Sequence, residues 1–422
     1  MSGPDAAPVL ARLGRLEKPV PRRMHYVALR DPASGEVLDR ALVVWFPKPA
    51  TETGEDMAEL HVHGGRATVD GILAALAACP GLRLAEPGEF ARRSFENGKL
   101  DLTAAEGLAD LVSAETAAQR RQALRQLDGE LGRLYDGWRE RLVAALAHLE
   151  AAIDFADEDL PAGIEERVKR EAQVLDRDIA AHLADGHRGE RLRDGLSVAI
   201  IGPPNSGKSS LLNRLSKRDA AIVAAVAGTT RDVIEVHMDL GGYPLVIADT
   251  AGLRDSTDAI EREGIRRARA RAATADVKIA VFDATEWPKV DPTAAELVDN
   301  DTVIVLNKAD IAAPKPPLEI GGRHAFPVSA LTGLGMDLVI AALTAEAEKR
   351  LTVSGSPLLT RERHRRSLED CRAGLERALA AKTVELIAED LRLAARALGR
   401  ITGRVGVEDL LDVIFRDFCI GK

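Results

Sequence analysis

The most constraining feature is the apolar run Leu196–Ile201, which leads straight into Gly202-Pro-Pro-Asn-Ser-Gly-Lys-Ser209 and then a helical pattern. A strand, a GxxxxGK[ST] loop and a helix in that order leave few folds open. The glycines let the backbone wrap a phosphate chain, with N–H groups and the helix N-terminus turned towards it. Lys208 supplies a cation for the β- and γ-phosphates, and the Ser209 hydroxyl suits Mg²⁺. Asn205, Ser206, Gly207, Lys208, Ser209 and Ser210 are therefore the expected phosphate-binding set.

The residues around and beyond this loop support the same reading. LSVAII, YPLVIAD, VKIAVFD, DTVIVLN and HAFPVSA are short apolar runs separated by loops and mostly helical patterns, which predicts a doubly wound α/β sheet from 195 to 352. The base is chosen by Asn307-Lys308-Ala309-Asp310. The Asp310 carboxylate can accept from N1–H and N2–H₂ of guanine, a donor pair that adenine lacks. Ser329-Ala330 resembles the element whose backbone meets the guanine carbonyl. Asp249-Thr250-Ala251-Gly252 places an acid near Mg²⁺ and a glycine N–H near the γ-phosphate. Between the phosphate loop and this segment, Gly228-Thr229-Thr230 offers Thr230 as a second hydroxyl ligand of Mg²⁺. The ordered set predicts a GTP site.

The residue after Gly252 is Leu253, where many such proteins use a Gln to orient water. Other groups must do that work. Asn205 and the small-residue loop Ala224-Ala225-Val226-Ala227 are expected to hold a monovalent cation. Glu261 is expected to orient water.

The flanks read differently. Residues 1–98 mix β-like runs (Tyr26–Leu29, Ala41–Phe46) with a helix at Thr68–Ala78. Residues 99–194 and 353–422 are helical, with Ala118–Tyr135, Trp138–Ile153, Glu165–Leu183 and Val384–Leu398 carrying apolar residues at helical steps. The simplest architecture is one helical bundle interrupted by the α/β domain, because the termini of an inserted domain lie close together. The net charge of −9 argues against a basic coat, and three scattered cysteines (Cys79, Cys371, Cys419) fit a reducing compartment. With no h-region and no long apolar run, a cytoplasmic protein without a membrane span is expected. The arginines at Arg262, Arg266, Arg267, Arg269 and Arg271 are read as a solvated face rather than an RNA contact, since no aromatic residue interleaves.

Four segments carry a family resemblance: TGEDMAELHVHGG at Thr53–Gly65, PGEFARRSFENGKLDLTAAEGLADL at Pro87–Leu111, the GPPNSGKSSLLN…GTTRD…DTAGLRD set, and the terminal FCIGK at Phe418–Lys422. The chain resembles the MnmE (TrmE) family of tRNA-modification GTPases over nearly its whole length. The resemblance implies an N-terminal α+β domain that binds folate and dimerises, and a helical domain interrupted by a Ras-like P-loop GTPase domain. It implies action on tRNA with an FAD-containing MnmG-like partner in a heterotetramer, installing an aminomethyl-type or carboxymethylaminomethyl group at C5 of the wobble uridine. The one-carbon unit would come from 5-formyl- or 5,10-methylene-tetrahydrofolate. GTP hydrolysis would depend on K⁺ and on two GTPase domains meeting across a homodimer. Asn205 and Thr229 match K⁺-site positions, with Ala224 and Val226 as carbonyl donors. Ser209 and Thr230 match Mg²⁺ ligands and Glu261 the catalytic glutamate. Glu59, Lys99 and Lys422 match folate-site positions, and Cys419 the tail cysteine. The family's opening β segment is not among these residues, so a shortened N-terminal domain is expected. A ribosome-assembly-type regulatory GTPase, and a GTPase that has lost folate binding, remain alternatives.

Overall fold

Long apolar runs make strands buried on both faces, and alternating runs make half-buried ones. The computed structural model shows both kinds. It describes residues 1–154, 163–217, 221–222, 235–249, 270, 272–352, 355, 357–406, 411, 414–415 and 418. In chain order the N-terminal elements are α1 (Ala6–Gly14), β1 (His25–Arg30), β2 (Val37–Phe46), β3 (Met57–His61), α2 (Arg66–Ala77), α3 (Glu89–Glu96) and α4 (Leu102–Ser113). Then come α5 (Ala117–Leu127), α6 (Glu130–Asp154), α7 (Ile164–Leu183) and α8 (Arg188–Asp194). The α/β part holds β4 (Leu196–Ile201), α9 (Lys208–Ser216), β5 (Ala221–Ile222), β6 (Glu235–Leu240), β7 (Tyr243–Asp249), β8 (Val277–Asp283), α10 (Pro292–Ala295), β9 (Thr302–Asn307), β10 (Glu319–Ile320), β11 (Arg323–Pro327) and α11 (Met336–Leu351). Two helices close the described chain, α12 (Glu362–Ala380) and α13 (Val384–Thr402).

By its contacts the chain divides into two compact units. The first comprises 1–109, 126–168 and 380–422. Its three-stranded antiparallel sheet has the order β1-β2-β3. Leu29, Ala41, Val43 and Ala58 line one face and form a core with Val9, Leu10 and Leu13 of α1 and Ile72 of α2. In the same unit α6 packs against α13. Leu142 and Leu149 of α6 and Leu391 and Leu398 of α13 are all buried. Arg392 of α13 reaches Glu150 of α6 at 2.7 Å. Helices from before and after the α/β segment thus share one bundle, as the insertion architecture requires.

The second unit comprises 110–125 and 169–379. Its eight-stranded sheet runs β10-β11-β9-β8-β4-β7-β6-β5. The pairs β11/β9, β9/β8, β8/β4 and β4/β7 are parallel, whereas β7/β6, β6/β5 and β10/β11 are antiparallel. All six residues of β9 are buried, as are the first six of β8. Their apolar runs are the ones legible in the sequence.

Three details differ from expectation. β6 lies outside the expected strands, and it is an edge-side strand with the half-buried pattern of Val236, Met238 and Leu240 alternating with polar residues. Helix α5 ends at Leu127 and α6 begins at Glu130, because Gly129 takes φ +80°, so the break precedes the Tyr135–Trp138 interval. β11 stops at Pro327, and Val328–Ala330 leave the strand to form the next loop.

Candidate nucleotide site

β4 is flanked by β8 on one side and β7 on the other, so the sheet's switch point lies at its carboxyl end, where α/β sheets bind ligands. The phosphate loop starts there. Gly202 has φ +145°, and a Cβ on it would sit 2.2 Å from the Val281 carbonyl oxygen on β8. Gly207 caps α9 with φ +93°, and its Cβ would lie 2.1 Å from Asn307 Nδ2. Both positions admit only glycine, and the loop is thereby pressed against β8 and β9. Lys208 Nζ donates to the carbonyls of Gly202 at 2.9 Å and Pro203 at 2.7 Å. Asn205 is exposed at the loop tip with φ +59°. Ser206 is buried, and among the described residues its Oγ has no hydrogen-bond partner. Ser209 and Ser210 are exposed in the first turn of α9.

The base-recognition residues come from the ends of β9 and β11. Asn307 is buried and makes two braces: Nδ2 donates to Ser206 O at 2.9 Å, and Oδ1 accepts from Ala330 N–H at 3.0 Å. One side chain therefore ties the phosphate loop to the Ser329-Ala330 loop. Ser329 is fully buried; its Oγ accepts from Thr332 N–H at 3.0 Å, and its backbone N–H donates to Leu334 O at 2.9 Å. Ala309 N–H donates to Val328 O at 2.9 Å, bringing the Asn307–Asp310 turn alongside. Asp310 is exposed at that turn. Asp249 ends β7 and pairs in register with Ile200 of β4, next to the phosphate loop.

Two residues outside the expected motifs join this site. Asp283, at the end of β8, receives Lys308 Nζ at 2.6 Å. Burial would raise its carboxyl, but hydrogen bonds from Lys308 and Thr285 outweigh that and lower it. Arg214, in the last turn of α9, donates from Nη2 to Thr332 O at 2.8 Å and so ties the phosphate helix to the loop after Ala330. The Asp-Ala-Thr sequence at 283–285 signals a cap, but nothing local names Lys308 as its partner. The expected residues Ala224, Ala225, Val226, Ala227, Gly228, Thr229, Thr230, Thr250, Ala251, Gly252 and Glu261, and the arginines from Arg262 to Arg271, lie outside the described residues.

In the first unit three of the resemblance segments meet. Asn97 Nδ2 donates to Thr53 O at 2.8 Å. A Cβ on Gly54 (φ +77°) would lie 3.3 Å from Lys99 Cε. A Cβ on Gly88 would lie 2.4 Å from Phe415 O, and Phe415 and Phe418 share a buried cluster with Ala91, Leu102 and Ala105. The loop at 53–54 thus adjoins the turn at 97–99, and Phe415 and Phe418 pack on α3 and α4, the helices that flank that turn. Lys99 is exposed, and Glu59 on β3 is half-exposed and 3.1 Å from His61 Nε2. Lys422 and Cys419 lie outside the described residues.

Comparison with known proteins identifies the family. Residues 1–99 match the family described as GTP-binding protein TrmE N-terminus, and residues 102–419 match the MnmE helical domain. A protein of Rhodospirillum rubrum named tRNA modification GTPase MnmE is 58% identical over 435 residues, covering 100% of this chain and 95% of that one. Proteins of the same name from Paramagnetospirillum magneticum and Parvibaculum lavamentivorans are 56% and 55% identical, again covering 100% of this chain and 95% of theirs.

Proposed function

The chain belongs to the MnmE (TrmE) family of tRNA modification GTPases, and on that premise we propose that its GTP hydrolysis drives folate-dependent modification of the wobble uridine of tRNA. The observation that carries this reading is that, in one unit, the loop at Thr53–Gly54 adjoins the turn at Asn97–Lys99, and Phe415 and Phe418 pack on the two helices that flank that turn. A regulatory GTPase has no use for that second constellation. Lys99, Glu59 and Lys422 would bind a tetrahydrofolate carrying a formyl or methylene group. An FAD-containing MnmG-like partner would complete the transfer to C5 of the uridine, in a heterotetramer built on a homodimer. Among the described residues no helix is long and apolar enough to cross a membrane, and we place the protein in the cytoplasm. Boundaries at 98/99, 194/195 and 352/353 are our reading of its domains.

In GTP hydrolysis the loop from Gly202 to Gly207 and the start of α9 hold the phosphates through backbone N–H groups. Lys208 exchanges its contacts with the Gly202 and Pro203 carbonyls for β- and γ-phosphate oxygens. Asp310 selects guanine, and Asn307 ties the Ser329-Ala330 loop beside it. Exposed hydroxyls at the first turn of α9 fit Mg²⁺, which Ser209 and Thr230 would hold and which neutralises phosphate charge. Asn205, exposed at the loop tip, fits K⁺, together with Ala224, Val226 and Thr229. Glu261 would orient the attacking water in place of the Gln that Leu253 displaces.

Deleting the gene and digesting bulk tRNA for nucleoside mass spectrometry tests the proposal. Loss of the wobble-uridine modification, restored by the wild-type chain and not by Lys99→Ala, is expected. Unchanged modification would sink it in favour of a ribosome-assembly-type regulatory GTPase. GTP turnover equal in K⁺ and Na⁺ would remove the cation role of Asn205.

A further inference from the structure

We infer that Asp283 is a positioning residue for guanine recognition, holding Lys308 so that Asp310 is presented to the base; this rests on the guanine reading of the site. Lys308 has φ +67°, in the left-handed region that a side chain with a Cβ disfavours. Left alone, a lysine there relaxes to an extended or helical φ. Such a change turns the peptide between Lys308 and Ala309 and swings the next two residues, ending on Asp310.

Asp283 is placed to prevent that. β8 and β9 pair in parallel with Asp283 opposite Asn307, so Asp283 lies beside the residue just before Lys308. Its Oδ1 accepts from Thr285 N–H at 2.9 Å and Thr285 Oγ1 at 2.7 Å, which fixes the carboxylate plane. Its Oδ2 is then directed at Lys308 Nζ, 2.6 Å away. The acid is 15% and the lysine 33% exposed, so the pair is not one of the solvated surface pairs that contribute little. The turn it secures is otherwise held by backbone bonds, Ile311 N–H to Lys308 O at 3.0 Å and Ala309 N–H to Val328 O at 2.9 Å. Both involve the peptide planes that a change at Lys308 would turn. Asn307 anchors the loop on the phosphate side, and Asp283 anchors the half that carries the base-reading carboxylate.

A residue that only stabilises the fold would weaken every nucleotide equally. A residue that aims Asp310 would matter most where Asp310 makes two hydrogen bonds. Inosine diphosphate lacks the guanine amino group and offers only one of them. The experiment is therefore competition of GDP, inosine diphosphate and ADP against a fluorescent GDP analogue, with GTP turnover at saturation, for the full chain and its variants. Asp283→Asn is expected to weaken GDP about tenfold, the scale of one hydrogen bond to a charged group. It should pull the GDP-to-inosine-diphosphate preference towards unity and raise KM for GTP by more than it lowers kcat. Asp283→Glu should recover part of the preference. If Asp283→Asn does not fold, Lys308→Met breaks the same link and should lower the same preference. An unchanged preference in a folded variant overturns the positioning role. A wild-type chain that binds ADP as tightly as GDP overturns the guanine reading itself, a separate and recognisable result.

Discussion

Asn307 shows how one residue serves recognition and architecture together. The sequence places it in the Asn-Lys-Ala-Asp motif, where chemistry points at the base. The structure gives its side chain to Ser206 O and Ala330 N–H, two backbone groups that would otherwise be buried without partners. Asn307→Ala should cost about 1–3 kcal/mol for each orphaned group and weaken GDP, read by thermal melting and by nucleotide titration. A variant with wild-type stability and affinity would show that water replaces the amide. The motif was legible in the sequence because its chemistry is local. The brace was not, because Ser206 is 101 positions away. Glu89 makes a related case in the first unit. It accepts from Arg83 at 2.7 and 2.8 Å, from Arg93 at 2.7 Å and from Glu86 N–H at 2.9 Å. Burial alone would raise its carboxyl, yet these bonds hold it at about 2, against an ordinary 4.5. A depressed carboxyl stabilises the fold fully above the ordinary value and loses that contribution as pH falls through the folded one. The wild type should therefore lose stability between pH 4.5 and about 2 more steeply than Glu89→Gln, measured by melting temperature against pH. Parallel curves would remove Glu89 from the acid transition.

At the scale of elements, the loop from Ser329 to Gly335 joins β11 to α11 and carries one wall of the base site. Two glycines shape it, and they should differ in sensitivity. Gly335, at φ +72°, would put a Cβ 2.2 Å from the Pro327 carbonyl oxygen, which is backbone and cannot move aside. Gly333, at φ +93°, would meet Arg214 Nη2 at 2.1 Å, the far end of a flexible side chain held by its bond to Thr332 O. Gly335→Ala should thus displace the start of α11 and the Ser329-Ala330 turn, at a cost on the order of 1–3 kcal/mol, and speed GDP release. Gly333→Ala should cost less and mainly lose the Arg214 contact to Thr332. Stopped-flow release of a fluorescent GDP analogue ranks the two, and a reversed rank would contradict the backbone argument. The strands around this loop were readable because parallel strands buried on both faces must be apolar throughout. β6 escaped because its side chains alternate between core and solvent, a weaker signal over six residues.

Across the whole molecule, what the sequence hid is which distant segments meet. Local periodicity placed α6 and α13 as amphipathic helices, yet their pairing through Arg392 and Glu150 spans 242 positions. The same holds for the chain end. Phe415 is 3% and Phe418 8% exposed, and their rings lie 5.6 Å apart in a cluster with Ala91, Leu102 and Ala105. Gly88 and Gly403 make room for this packing: a Cβ on Gly88 would strike Phe415 O, and one on Gly403 would lie 2.5 Å from Phe95 and 2.8 Å from Leu102. Phe415→Ala removes a ring from a site bounded by backbone, where collapse is limited, and should destabilise the first unit by about 3 kcal/mol. Because Asn307, Lys308 and the phosphate loop all belong to the second unit, the same variant should bind GDP as the wild type does. Reduced-folate titration should then show weakened binding, and tRNA from a strain carrying only this variant should lack the wobble modification. If GDP affinity falls with folate affinity, the chain end supports both sites. If neither falls, the packing of the chain end on the helices beside Lys99 has no part in folate binding.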